Sequence, residues 1–131
     1  MTELTIDPYN IIREDVTPEN SADVFDALLA RAVEERGEEY IYAPAGDYGM
    51  CRYFEEDGSP GCIVGHALSY LGIESWDSGE YNSAYHVSKL LPIPEVVGQA
   101  LTDAQVEQDS GYDWGIALAR YRTKIRGAMQ R

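Results

Sequence analysis

The spacing of apolar residues predicts a helix near the beginning of the chain. Thr17 and Pro18 are residues that helices prefer as N-cap and first helical position, and acidic residues follow them. Apolar residues then recur every three or four positions, which places them on one face of a helix. This face consists of Phe25, Leu28, Leu29, Ala32 and Val33. Glycine commonly ends helices, so we expect this one to end at Gly37.

A second predicted helix covers residues 62–71 and is apolar on nearly every side. Helices of this kind are normally buried, so we expect it at the centre of the core, with Gly72 as its C-terminal stop. Gly61, Gly65 and Ser69 follow one another at a spacing of four and share one side of this helix. Their small size predicts that another part of the backbone passes close to that side.

Proline and capping residues divide the second half of the chain into further helices. Ser83 is a candidate N-cap for a short helix that runs through Leu91, and Pro92-Ile93-Pro94 ends this helix and starts the next. Thr102 with Gln105 three residues later is a capping-box pattern. This pattern predicts that a new helical turn begins at Thr102.

Two other elements complete the predicted secondary structure. After Gly111, Asp113 is a suitable N-cap for a final helix. The inner stripe of that helix would consist of Ala117, Tyr121, Ile125 and Ala128. Residues 40–43 and 50–54 are short segments rich in aromatic and β-branched side chains, which predicts a small β-hairpin.

These elements predict a mainly α fold of the α+β class, with about five helices and the small hairpin. A chain of 131 residues with 44% hydrophobic residues is suited to one compact domain with one core. We therefore expect a single globular domain at residues 17–131. Pro8 interrupts the mixed sequence before it, so residues 1–16 are expected to form an N-terminal arm or an edge strand.

The charge of the chain is strongly negative and unevenly distributed. The formal net charge is −13, and residues 1–119 contain all 23 acidic residues but only five of the ten basic ones. The last twelve residues contain the other five bases and no acid. Basic residues near the C-terminus of a helix complement its dipole, which is one explanation of this tail. The alternative is that the tail docks on the acidic body or on a separate acidic partner.

This composition excludes some classes of partner and location. So negative a chain would be repelled by the phosphates of DNA or RNA, so we expect no direct binding to nucleic acid. No apolar run approaches the roughly 18 residues that span a bilayer, and the first 30 residues contain no secretory apolar region. We therefore expect a cytoplasmic protein without membrane contact, whose two cysteines are thiols.

Cys62, His66 and His86, together with Cys51, are the candidates for metal or nucleophilic chemistry. Cys62 and His66 are four residues apart and share a helical face, which suits two zinc ligands, but the chain has no Cys-x-x-Cys motif. Alternatively, Cys62 at a helix N-terminus could be a nucleophile with His66 or His86 as its base. The simpler interpretation is buried cysteines and a hydrogen-bonded core histidine. We expect neither a metal nor another cofactor.

Acidic and aromatic residues together indicate a surface that binds another protein. The run Glu55, Glu56 and Asp57 lacks the calcium-loop pattern, so we interpret it as solvated acidic surface. Tyrosine and tryptophan are enriched in protein interfaces because they bury a large area at a small entropic cost. The aromatic residues expected on exposed loops are Trp76, Tyr81 and Tyr48. These six residues are the predicted partner-binding site.

Two motifs give the chain a resemblance to a known group. The sequence PGCIVGHAL at residues 60–68, which follows the Cys-x-Tyr sequence at 51–53, resembles small uncharacterised proteins of actinobacteria and their phages. The pattern AQxxQDxGxxWGxAL at residues 104–118 is similar to the closing motif of the same group. The resemblance implies a phage or prophage origin and a location in the cytoplasm of a bacterial host. It implies no catalytic residue.

The function that these observations favour is that of a small acidic phage-type accessory protein. Its negative charge would steer it to a basic surface of a host or phage protein, where exposed aromatic residues would supply contact area. A surface that normally holds nucleic acid is a reasonable target for such masking. The alternatives are a thiol- or metal-dependent enzyme that uses Cys62 with His66 or His86, and a protein that binds a small ligand. We favour the non-enzymatic interpretation.

Overall fold

Four α-helices form the regular structure of residues 6–41, 62–73, 87 and 91–129, the residues that this computed structural model describes. They are α1 (Ser21–Arg36), α2 (Ile63–Tyr70), α3 (Glu95–Asp109) and α4 (Trp114–Met129), preceded by a 3-10 turn at Arg13–Asp15. Helices α3 and α4 are antiparallel neighbours joined by residues 110–113. Helix α1 packs against α2 and α4, and α2 also contacts α3. The predicted mainly α class is confirmed.

The predicted β-hairpin and the number of five helices are not supported. The described ranges contain no strand. Instead of pairing in a hairpin, Tyr40 accepts a hydrogen bond at its backbone oxygen from the amide of Trp114, at 2.9 Å. Residues 42–43 and 50–54 lie outside the described residues. Of the helix predicted before Pro92, the structure describes one helix-type bond, from the Leu91 amide to the Val87 carbonyl at 2.9 Å.

Helix α1 begins at Ser21, four residues after the predicted N-cap. Thr17 nevertheless has the predicted capping role: its amide donates to Asn20 Oδ1 at 2.8 Å, the Asn20 amide donates to Thr17 Oγ1 at 3.1 Å, and its carbonyl accepts the Ser21 amide at 2.9 Å. This reciprocal pair is a capping box, and it satisfies two amides in the turn that leads into α1. The predicted end is correct, because Gly37 has φ +96° and its amide bonds the Val33 carbonyl.

Helix α2 is buried on all sides, as its uniformly apolar sequence predicts. Its first six residues, from Ile63 to Leu68, are all buried, and so is the preceding Cys62. The Gly72 amide donates to the Ser69 carbonyl at 2.9 Å and ends the helix at the predicted position. The short helix is therefore enclosed by the rest of the core.

Helix α3 runs through Thr102 without interruption, so the new helical turn predicted there is wrong. The Thr102 hydroxyl donates to the carbonyl of Gly98 at 2.9 Å, within the preceding turn, and does not cap a helix start. Gln105 is buried inside the same helix. A threonine and a glutamine three residues apart are thus compatible with a continuous helix when the hydroxyl bonds backwards.

Helix α4 starts as predicted and turns its inner stripe to the core. The Asp113 carboxylate accepts the amide of Ile116 at 2.9 Å, which is the expected N-cap. Ala117 and Tyr121 are fully buried, and the Tyr121 hydroxyl donates to the Ala22 carbonyl of α1 at 2.8 Å. Of the helices in the described part, none combines the length and apolar character that crossing a membrane requires.

Residues 6–16 lie against α1 and α2 without forming a strand. Arg31 of α1 holds this segment, because its guanidinium donates to the Pro8 carbonyl at 2.9 Å. The same guanidinium lies 4.3 Å from the ring centre of Tyr9 and 3.8 Å from that of Tyr70 on α2. Such cation–π contacts attach the segment to the two helices.

Gly115 is the position where an added methyl group should destabilise the fold. A Cβ at this residue would lie 2.9 Å from the backbone oxygen of Glu38 and 3.1 Å from its Cβ. We expect Gly115→Ala to lower the free energy of unfolding by about 1–3 kcal/mol, because backbone must move to relieve the overlap. Gly127→Ala is the matched control on the same helix, since a Cβ there meets nothing within 4 Å. The control should gain about 0.5–1 kcal/mol from helix propensity. Urea unfolding of both variants checks this, and equal stabilities would contradict it.

Candidate functional site

All six residues predicted to bind a partner lie outside the described residues. This applies to Trp76, Tyr81, Tyr48, Glu55, Glu56 and Asp57, and also to His86 and Cys51. Their roles stay predictions. Cys62 and His66 are the predicted candidates that the structure describes.

Cys62 is a buried, disulfide-bonded cysteine, which corrects the expectation of a thiol. That expectation came from the compartment, whereas a disulfide depends on how closely the fold brings two cysteines together, which spacing in sequence does not show. A sulfur held in a disulfide is neither a thiolate nucleophile nor a metal ligand. In the described ranges, no group of three or more His, Cys, Asp or Glu side chains is arranged to hold a metal ion.

His66 faces the backbone and the aromatic core. Its Nδ1 lies 3.0 Å from the backbone carbonyl of Cys62, and Arg36 Nε approaches its Nε2 at 3.5 Å. These contacts fit the tautomer that carries its proton on Nδ1. The ring packs edge-to-face on Trp114 with centroids 4.9 Å apart, and only 4% of the residue is exposed. Its position agrees with the simpler interpretation of a hydrogen-bonded core histidine.

Gln108 connects three helices through one buried amide. Its Oε1 accepts the Ile63 amide at the start of α2, at 2.8 Å, and the indole Nε1–H of Trp114 at the start of α4, at 3.1 Å. Its Nε2 donates to the carboxylate of Asp109 at 2.9 Å. Only 1% of Gln108 is exposed. Sequence reasoning missed this role, although a glutamine four residues after the buried Ala104 occupies a core-facing position of α3.

Two carboxylates next to these elements have shifted pKa values. A hydrogen bond from the Tyr70 hydroxyl lowers the pKa of Glu35, and a hydrogen bond from Arg31 adds to the effect against the opposing influence of burial. Burial raises the pKa of Asp109, while hydrogen bonds from Gln108 and Gln105 act in the opposite direction. Glu35 is thus favoured as a carboxylate in the folded chain.

Acidic and apolar side chains meet where the segment after α1 contacts the start of α4. The Gly115 amide donates to the Glu38 carbonyl at 2.8 Å, next to the bond between Trp114 and Tyr40. Three apolar side chains lie within two residues of these bonds and are about half exposed: Ile41 at 54%, Tyr112 at 51% and Ile116 at 41%. Glu38 and Glu39 are exposed beside them. We call Glu38, Glu39, Ile41, Tyr112 and Ile116 the junction surface.

The basic residues of α4 contact the acidic body of the protein. Arg122 makes a two-pronged contact with Asp26 of α1, with both N–O distances 3.0 Å. Arg120 pairs with Glu107 of α3 at 3.3 Å. For Arg120 and Arg122, the structure therefore shows the second explanation of the basic tail, docking on the acidic body. Exposed pairs of this kind each stabilise a fold by less than about 1 kcal/mol.

Comparison with known proteins gives no match: no family model, no curated protein and no solved structure is similar to this chain. The resemblance to actinobacterial and phage proteins stays a prediction. A functional assignment therefore depends on the geometry described above.

Replacement of Gln108 by a side chain without an amide should destabilise the fold. We expect Gln108→Leu to lower the free energy of unfolding by about 1–3 kcal/mol for each of the two buried donors that lose their acceptor. Gln99→Leu is a matched control, because Gln99 is an exposed glutamine of the same helix, and it should change stability by less than about 0.5 kcal/mol. Urea denaturation followed by far-UV circular dichroism measures both. Similar midpoints for the two variants would contradict the role of Gln108.

The lowered pKa of Glu35 predicts a defined pH dependence. Because the folded state favours the carboxylate, its contribution is present above the ordinary value near 4.5 and is lost as pH falls through the lowered pKa. The destabilisation caused by Glu35→Gln should therefore be largest near neutral pH and should shrink at lower pH. Glu35 is largely exposed, so we expect a difference below about 1 kcal/mol. In a Tyr70→Phe background, which lacks the hydrogen bond that lowers this pKa, the trend should weaken, and an unchanged trend there would refute the prediction.

Proposed function

We propose that the protein is a small acidic accessory protein that binds and masks a basic surface of a host or phage protein. The observation that supports this most directly is the junction surface, where carboxylates and half-exposed apolar side chains lie side by side. Interfaces combine these two properties, because apolar contact area holds a complex while complementary charge guides its formation.

Two bases of α1 make contacts within the fold and do not pair with the carboxylates of the junction surface. Arg31 lies between the rings of Tyr9 and Tyr70. Arg36 is directed to the His66 ring. Neither guanidinium pairs with Glu38 or Glu39 within 4 Å, and the ion pairs of α4 involve other carboxylates. Glu38 shares a groove with Arg122 and Arg126 of α4 but forms no ion pair within 4 Å, so Glu38 and Glu39 can still pair with a basic partner.

A basic partner surface that normally contacts nucleic acid would fit this arrangement. Such surfaces carry clustered Lys and Arg, which a set of carboxylates can engage in place of phosphates. The net charge of −13 would accelerate the encounter over a distance set by the Debye length, about 8 Å at physiological ionic strength. Direct binding to nucleic acid or to an anionic membrane is not part of this proposal.

The location that we propose is the cytoplasm of a bacterial host, and the disulfide of Cys62 is the observation that opposes it. Disulfides are rare in the cytoplasm because cellular reductants keep thiols reduced. Rapid alkylation of cells that produce the protein, followed by peptide mass spectrometry, decides the point. An alkyl group on Cys62 would support the cytoplasmic location, and a retained disulfide would favour an oxidising compartment.

A photo-crosslinking residue at Ile116 should capture a basic protein in the bacterial host. The same residue at Ile12, which is 55% exposed on the N-terminal segment, is the control for non-specific capture. We expect a product of high isoelectric point at Ile116 that weakens when salt is raised before irradiation, because screening reduces charge steering. Equal products at both positions, or acidic captured proteins, would contradict the proposed interface.

With the captured partner in purified form, the roles of charge and apolar contact can be separated. Glu38→Lys with Glu39→Lys should slow association about tenfold, whereas Ile116→Ala should mainly accelerate dissociation. Glu14→Lys with Glu19→Lys is the matched control, since it changes the net charge equally at exposed positions of the N-terminal region. Surface plasmon resonance measures both rates. If both double variants slowed association equally, the effect would come from net charge in general and not from the junction surface.

A further inference from the structure

A groove follows the outer side of the α3–α4 pair at the end away from the connecting turn. It consists of two adjoining depressions of about 530 Å³ each, which share Glu95, Gln99, Asp103 and Lys124 as lining residues. Volumes of this order are typical of sites for small molecules. The groove is remote in sequence from the junction surface, which involves the beginning of α4.

Small residues keep this part of the helix pair open. A Cβ added at Gly98 of α3 or at Gly127 of α4 would meet no other atom within 4 Å. Ala128 lines the first depression with Val96, and Ile93 lines the second, so the groove also has apolar walls. A ligand can therefore occupy the space between the helices without moving protein atoms.

Two opposite charges line the groove without contacting each other. Glu95 accepts a hydrogen bond from Gln99 at 3.2 Å, and Arg120 pairs with Glu107 at 3.3 Å. Asp103 of α3 and Lys124 of α4 form no ion pair within 4 Å, either mutually or with another residue of the described ranges. Among these side chains, Asp103 and Lys124 are an anion and a cation on opposite walls, and neither an ion pair nor a side-chain hydrogen bond within the described ranges engages them. Glu95, by contrast, is already hydrogen-bonded to Gln99.

We propose that the groove binds a short apolar peptide with free termini, whose ammonium group contacts Asp103 and whose carboxylate contacts Lys124. The two charged side chains belong to different helices, and packed helix axes are typically about 8–10 Å apart. A single amino acid carries both charges on one carbon, whereas a dipeptide separates them by one further residue of about 3.5 Å. The apolar walls formed by Ile93, Val96 and Ala128 suit aliphatic side chains between the two charges.

Titration of the ¹⁵N-labelled full chain with the dipeptide Leu-Leu tests this site by NMR. We expect saturable shifts of the Gly98 and Gly127 amides. Asp103→Asn and Lys124→Met should each weaken binding about tenfold, because a hydrogen bond between charged groups is lost. Arg126→Met is the matched control, since Arg126 is an exposed cation of the same helix that lines a different groove.

The neutral analogue N-acetyl-Leu-Leu-amide separates charge recognition from simple apolar contact. It has the same side chains without charged termini, so we expect at least tenfold weaker binding. Absence of saturable shifts with Leu-Leu, equal affinity for the neutral analogue, or unchanged affinity in both groove variants would overturn the proposal. None of these results bears on the junction surface, which the crosslinking experiment tests separately.

Discussion

The bifurcated hydrogen bond at Gln108 Oε1 is the interaction on which the arrangement of the helices depends. It accepts the first amide of α2 and the indole of Trp114, and it therefore fixes α2 and α4 relative to α3. The ring of Trp114 in turn packs edge-to-face on Tyr40 at 4.6 Å and on His66 at 4.9 Å. Since Tyr40 belongs to the segment that bonds the start of α4, the position of the junction surface follows from this buried amide.

The sequence is sufficient to predict helix ends and caps, because these depend on contacts between residues that are close in sequence. Gly37 and Gly72 end helices, and Asp113 caps the next one, as predicted. The role of Gln108 could not be predicted in this way, because it joins residues 45 positions apart in sequence. The same limit applies to Tyr40: its aromatic character predicts a strand, but its backbone oxygen and its ring contact Trp114, which lies far along the chain.

The candidate sites were less predictable than the fold because they depend on which surfaces remain after packing. The sequence indicated acidic and aromatic surface, and the described acidic surface does adjoin exposed apolar side chains. However, a backbone hydrogen bond places Glu38 beside Gly115, and these two residues are 77 positions apart in sequence. Similarly, Asp103 and Lys124 line one groove only because α3 and α4 are antiparallel. Residue types indicate which kinds of surface the chain can form, whereas tertiary contacts determine which residues share one surface.

The meeting of two helix termini explains how the fold tolerates carboxylates at the junction surface. Acidic residues after the C-terminus of α1 oppose its dipole, which costs about 0.3–1 kcal/mol each on an exposed helix. The N-terminus of α4 lies at the same place, and its first amides donate to the carbonyls of Glu38 and Tyr40. The positive end of α4 therefore offsets the negative end of α1, and the two helix dipoles contribute little net potential there. The side chains of Glu38 and Glu39 can therefore carry negative charge here without weakening α1, while Arg122 and Arg126 of α4 line one groove with Glu38.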